Sequence, residues 1–363
     1  MNTILKLSNL LTRENFKKLF LYIKNYGVRA FLGKAKKKVF DIVKSGEDLS
    51  ASNNHAVQFG KVDSSSGSIW DNSFERYQKG YFKLYWELLR EVQKYQYKCM
   101  TGNENMDFLT FTLNFCKEHF ESKKLRALWI GCMDSVPGPE VTQFESGIFS
   151  KIEVVDLAEG LLDKQRRMAS ERGLKEIEYR KEDLNEVMLE KNVYDLIFAV
   201  GTIHHVEKLE LLFEQINDAL KDNGKFIMRE YIGPNHVQFT DTQLSIINEI
   251  LSILPEKYKT MSNGLTKNIA QSPNLDYLMK IDPSESVRSQ DIIQVMKERL
   301  EIIKLAYTGG TILHPLLSDI ASNFEQDQDS ETILKLLIFF EKMLIEARAL
   351  PSDYVFCIAQ KKL

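Results

Sequence analysis

Residues 126–140 read RALWIGCMDSVPGPE, from Arg126 to Glu140. An apolar run, Ala127–Ile130, stops at Gly131. A turn-forming segment with Pro137, Gly138 and Pro139 follows, and after it the start of a helix. Strand, tight turn and helix N-terminus in that order aim backbone N–H groups at a bound ligand. Working outward, Lys151–Val155 reads as a second strand ending at Asp156, and Leu161–Arg172 as a helix closed by Gly173. Ile177–Arg180 is a short third strand. Tyr194–Val200 is a fourth, nearly all apolar, as a central parallel strand buried on both faces must be. Leu209–Leu220 has leucines at helical spacing and is closed by Asp222-Asn223-Gly224; Lys225–Tyr231 is the fifth strand. This alternation predicts βαβ units and an α/β, Rossmann-like doubly wound, mostly parallel sheet.

Beyond Gly233-Pro234 the pattern turns helical. Residues 236–297, with Leu244–Leu254 and Asp291–Leu300, read as a helical insertion over the carboxyl edge of the sheet. Leu300–Tyr307 and Asp353–Gln360 return to strand patterning on either side of a helix at Leu334–Ile345, for seven strands in all. Upstream, residues 46–122 read as a Ser/Asn/Gly-rich linker and then an aromatic-rich helical cap, of the kind that often walls an active site. Residues 123–235 are the ligand-binding core, 236–297 the lid, and 298–363 complete the sheet.

The 363 residues carry a net charge of −3, which gives the whole chain no pull toward nucleic acid. The charge is unevenly spread. Residues 1–45 hold eleven Lys and Arg against Glu14 and Asp41, near +9, and leave the remainder near −12. Apolar residues recur between these lysines at roughly helical spacing. The segment therefore suits either a peripheral membrane surface or an acidic protein, or else packs on its own domain. Four scattered cysteines without a C-x-x-C pair predict reduced thiols, no disulfide frame and no metal site. No 18-residue apolar run and no cleavable leader is visible, so the expected location is cytoplasmic.

Two carboxylates stand where a nucleoside would need them. Asp156, about 25 residues after Gly131, is placed to accept hydrogen bonds from both ribose hydroxyls; capping the next helix is the other use of an Asp there. Asp183 follows the third strand and could take an exocyclic adenine amine, with Leu184 beside the base, or again cap a helix. A nicotinamide-dependent oxidoreductase is disfavoured, because no G-x-G-x-x-G follows the first strand.

From about Tyr81 onward the chain resembles bacterial class I S-adenosylmethionine-dependent methyltransferases associated with surface-glycan or secondary-metabolite genes. The resemblance rests on Tyr194-Asp195-Leu196-Ile197-Phe198 with Ile203-His204-His205-Val206, Ala219-Leu220-Lys221 with Asn223-Gly224, and Glu230-Tyr231-Ile232-Gly233-Pro234. Asp282–Ser289, Gly309-Gly310-Thr311 through His314, and Leu350–Asp353 add to it. It implies S-adenosyl-L-methionine bound by Gly131, Cys132, Met133, Asp156, Leu157, Asp183, Leu184, Val200 and Gly201. It also implies His204, His205, Glu230 and His236 as catalytic candidates. Tyr231, Glu285, Arg288 and His314 would meet the substrate, a small-molecule or glycan-linked acceptor methylated at oxygen. A histidine suits that task because its pKa lies near neutrality.

The chain departs from the family in its first motif. Trp129 stands where an acid precedes the first glycine, and Met133 and Ser135 replace the second and third glycines. Loss of the acid removes a partner for the cofactor's ammonium group, for which Asp134 or Glu140 could substitute, and Met133 could crowd the methionine moiety. A second reading follows from these departures: a catalytically inactive protein that keeps the fold and acts as a binding partner or scaffold.

Overall fold

The computed structural model describes residues 85–121, 124–135 and 137–362, all within the compact unit Val62–Leu363. The basic segment 1–45 and the linker after it lie outside the described residues. The described chain opens with a 3-10 turn at Trp86–Leu88 and two cap helices, α1 (Arg90–Thr101) and α2 (Phe108–His119). Asp107 starts α2 by accepting the Thr110 N–H, and Gly102, with φ +83°, ends α1.

Then comes the alternation expected from the sequence: β1 (Leu125–Ile130), α3 (Pro139–Glu145), β2 (Phe149–Asp156), α4 (Glu159–Glu171), β3 (Ile177–Lys181), β4 (Tyr194–Val200), α5 (Leu209–Ala219) and β5 (Leu220–Tyr231). β5 begins earlier than expected. Leu220 already pairs with Tyr194, and the residues from Lys221 to Gly224 loop out before pairing resumes at Lys225. The lid carries α6 (Asp241–Ile253), α7 (Leu275–Ile281) and α8 (Ile292–Arg299). After it come β6 (Leu300–Gly309), α9 (Leu313–Leu317), α10 (Gln328–Glu346) and β7 (Tyr354–Lys361).

The sheet order is β3-β2-β1-β4-β5-β7-β6. The first five strands are parallel, and β7 runs antiparallel to both β5 and β6. Alternate β1 residues serve the two faces. Leu128 and Ile130 join the core under α5 and α8, while Ala127 and Trp129 join the core under α2, α3 and α4. Burial on both sides is why the strand reads as an unbroken apolar run. A third apolar cluster ties Trp86 and Leu89 to the lid helix α6 and to α9 and α10. The cap and the lid therefore close over the same end of the sheet.

Candidate functional site

At the carboxyl ends of β1 and β2 the glycine turn has one strict requirement. Gly131 has φ +92°, and a Cβ there would stand 1.9 Å from Thr202 Oγ1, so only glycine fits. The two departures beyond it are absorbed by α4. Gln165, fully buried, donates through Nε2 to the carbonyls of Met133 (3.0 Å) and Ser135 (2.5 Å) and accepts the Gly138 N–H. The Met133 and Cys132 side chains are partly buried and pack against the core. Trp129 is buried as well, stacked on Phe198 with its Nε1 donating 2.8 Å to Gln143. Of the two proposed substitute acids, Glu140 is buried and accepts from the Tyr179 hydroxyl, whereas Asp134 is exposed.

Asp156 accepts from the Cys132 N–H through one oxygen (2.6 Å) and from the Ala158 N–H through the other (2.8 Å). It thereby links the glycine turn to the start of α4 while staying partly open, as does Leu157 beside it. Asp183 makes an Asx turn with Asn185, and no helix follows it, which removes the helix-capping alternative. Leu184 is packed in the core with Val187 and Leu189, a correction to its expected place beside a base.

A cavity of about 370 Å³ opens at the ends of β4 and β5. Val200, Gly201, His204, Arg229, Glu230 and Tyr231 form its sheet side, Tyr85 and Glu87 come from the cap, Val237, Glu285 and Ser286 from the lid, and His314 and Tyr354 from the last part of the chain. Gly201 has φ +62° and nothing within 4 Å of where a Cβ would stand, so the backbone borders open space here. Asp156, at the end of β2, and Asp183, after β3, lie on the other side of β1 from this opening, along the same carboxyl edge of the parallel strands.

Glu230 closes the floor. One oxygen accepts the N–H groups of Thr202 (2.8 Å) and Ile203 (2.7 Å); the other accepts the Tyr231 N–H and meets His204 Nδ1 at 2.5 Å. It forms no salt bridge with Arg229 or Arg288. Arg229 turns to Glu87 and Gln96 instead. With both oxygens engaged, Glu230 orients His204 and has no free edge for a ligand. Burial would drain the charge from His204, but the Glu230 carboxylate overrides it and, with Glu285, lifts the imidazole to about 9. His205 is driven the other way, to about 3, by burial and by its charged neighbour. His314 falls to about 4 because it is buried among rings: Trp86 stacks on it, and Tyr231, Phe239 and Tyr354 meet it edge-on.

Other expected residues are set apart from the cavity. His236 lies in the turn after β5 with φ +51° and its Nδ1 3.0 Å from the Glu285 carbonyl, so it braces the lid. Arg288 is held by both Glu210 oxygens at 2.8 Å and by Asp291, which fixes the lid to α5 and leaves no donor pair for a substrate. Sequence reasoning missed Tyr85, Glu87, Arg229, Ser286 and Tyr354. The aromatic density of the cap was the available signal for Tyr85. Tyr354 had none, because it reaches the site only through antiparallel pairing with Tyr231.

Among curated proteins none matches the chain. Among solved structures, similar ones include geranyl diphosphate C-methyltransferase from Streptomyces coelicolor A3(2) in complex with S-adenosyl-L-homocysteine (14% identity, covering 74% of this chain and 81% of that one, TM-score 0.41). Others are phosphoethanolamine N-methyltransferase 2 of Haemonchus contortus (18%, 76% and 58%, TM-score 0.41) and the cyclase SpnF (13%, 70% and 81%, TM-score 0.40). A family model described as a methyltransferase domain matches residues 130–228, from the end of β1 into β5. That match and the sheet order together identify the core of this chain as a methyltransferase domain of the class I, S-adenosylmethionine-dependent kind.

Proposed function

We propose that the protein transfers a methyl group from S-adenosyl-L-methionine to an oxygen of a small-molecule or carbohydrate-linked acceptor held in the cavity at the ends of β4 and β5. The observation that carries this reading is the Glu230–His204 pair on the floor of that cavity, beside Gly201. Asp156 and Asp183 would hold the nucleoside, and Gly131, Cys132 and Gly201 would lie along it. When bound, the cofactor supplies an electrophilic sulfonium methyl. The chain's own residues position the acceptor. Glu230 fixes the His204 ring through Nδ1 and leaves Nε2 for the acceptor oxygen, and Tyr85, Tyr231 and Tyr354 offer flat walls for the acceptor, their hydroxyls held by protein partners. Glu285 and Ser286 lie against the cavity from the lid and help exclude water.

The experiment is a titration of the full chain with S-adenosyl-L-homocysteine, followed by calorimetry and by melting temperature. Micromolar binding should stabilise the fold by a few kcal/mol at saturation. Asp156→Ala should weaken binding at least 100-fold, about 2.7 kcal/mol. His204→Gln should retain that affinity and lower kcat by about 100-fold. No binding at millimolar ligand would leave the scaffold reading in its place.

A further inference from the structure

The turn after β4 and the lid bring together a group of side chains that acyl, methyl or sugar positioning alone does not require. One ring nitrogen each of His204 and His205 and an oxygen of Glu285 lie within 4.8 Å of one another. His204 Nε2 is 3.9 Å from Glu285 Oε1. Both imidazoles are oriented from behind through Nδ1. His204 Nδ1 meets Glu230 at 2.5 Å, and His205 Nδ1 meets Ser284 Oγ at 3.3 Å, whose hydroxyl in turn donates 2.6 Å to Asp282. A carboxylate behind each ring, one direct and one relayed by a serine, is how proteins fix the tautomer of metal-bound histidines. We propose that His204, His205 and Glu285 bind a divalent transition-metal ion, Zn²⁺ or a neighbour such as Co²⁺ or Ni²⁺, with an open coordination position facing the cavity.

The donor set argues for that class of ion. Two imidazoles and one carboxylate suit Zn²⁺, Co²⁺ and Ni²⁺, whereas Mg²⁺ and Ca²⁺ favour all-oxygen shells. Three protein ligands with a fourth position open is the catalytic rather than the structural pattern. Tetrahedral ligation at about 2.0–2.1 Å needs donors about 3.4 Å apart. His204 Nε2 and Glu285 Oε1, 3.9 Å apart, are thus about half an ångström too far apart, and the widest of the three pairs, within 4.8 Å, by up to about 1.4 Å, a contraction that side-chain rotation of Glu285 can supply. The lid backbone is already tied to this turn: the Val287 N–H donates to the His204 carbonyl at 3.1 Å. Two acids behind the rings and one beside them also give the cluster a negative balance that an ion would offset.

The site stands on this geometry alone, but its role rests on the methyltransferase reading. The open position would take the acceptor hydroxyl, whose acidity rises on coordination; its proton passes to solvent, and no electron is transferred. His204 would then act as a ligand through Nε2, with Glu230 as its positioning residue.

The test uses the full chain after treatment with a chelator, titrated with Co²⁺ while the visible d–d absorption is followed. Bands should appear at micromolar Co²⁺, be abolished by competing Zn²⁺, and shift to at least tenfold higher Co²⁺ in Glu285→Gln. His205→Gln should weaken binding further. If that variant does not fold, Glu285→Gln decides the matter, with its far-ultraviolet circular dichroism and S-adenosyl-L-homocysteine affinity as controls. Absence of bands at millimolar Co²⁺, or bands unchanged in Glu285→Gln, overturns the proposal. Cofactor binding is read separately, so Co²⁺ binding without it would leave the metal site standing and remove only its role in methyl transfer.

Discussion

Trp129 stands where the resemblance implies an acid, and its side chain packs in the core. At that position a carboxylate would reach for the cofactor's ammonium group, and its loss reads as damage. The Trp129 side chain instead fills the core between β4 and α3, 1% exposed, stacked on Phe198 and bonded to Gln143. The surrounding cavity is built for an indole, and Gln143 would lose its donor if the indole were removed. Trp129→Glu should therefore fail to improve cofactor affinity and should destabilise the fold by about 4 kcal/mol or more, because it combines a large-to-small change with a buried charge. Chemical denaturation measures the loss; a variant as stable as the parent that binds S-adenosyl-L-homocysteine more tightly would contradict this account. Gln165 belongs to the same lesson. Its side chain holds the Met133 and Ser135 carbonyls of the loop after β1, and nothing in a single sequence links residue 165 to residues 133 and 135.

At the scale of elements, the strands and helices of the core were legible because each carries its own periodicity. β4 is apolar but for Asp195 since both of its faces are buried, and α5 shows its leucines at helical spacing. The pairing of β7 was not legible in this way. It depends on residues more than 100 positions away in β5, and it decides that Tyr354 faces the cavity and that Asp353 is buried at its start. Asp353 has one oxygen without a partner, and the other accepts from Gln243 at 2.9 Å. Burial, reinforced by Glu341 nearby, raises its pKa to about 7 from the ordinary 3.8. A raised acid makes the folded state hold a proton that the unfolded chain has released. Stability contributed by this group is therefore full below about pH 4, falls as pH rises, and is lost above about pH 7, by up to about 4 kcal/mol. Asp353→Asn keeps the neutral shape and cannot ionise. Its melting temperature relative to the parent should rise steadily between pH 4 and pH 7.5, whatever constant cost the new amide brings; an unchanging difference across that range would show that Asp353 does not titrate there.

For the whole molecule, the number of strands followed from counting them on either side of the helical insertion, whereas their order and the cavity, assembled from six separated stretches, exist only in the fold. Residues 1–45 lie outside the described residues, and their charge sets them apart from the rest of the chain. A net charge near +9 set against about −12 for the remainder is a strong separation within one chain. Among the described residues no helix is long and apolar enough to cross a membrane, and the expectation for residues 1–45 is peripheral contact with an anionic bilayer. Basic side chains near an anionic surface contribute about 1 kcal/mol each, an attraction that salt screens within about 10 Å at 0.1 M. Removing residues 1–45 should leave S-adenosyl-L-homocysteine affinity unchanged, since the residues assigned to the donor site all fall between Gly131 and Gly201. The same deletion should sharply lower retention on vesicles containing anionic lipid, and the parent's retention should itself decline as salt is raised. Retention that persists after the deletion, or that ignores salt, would assign the basic segment to packing on its own domain.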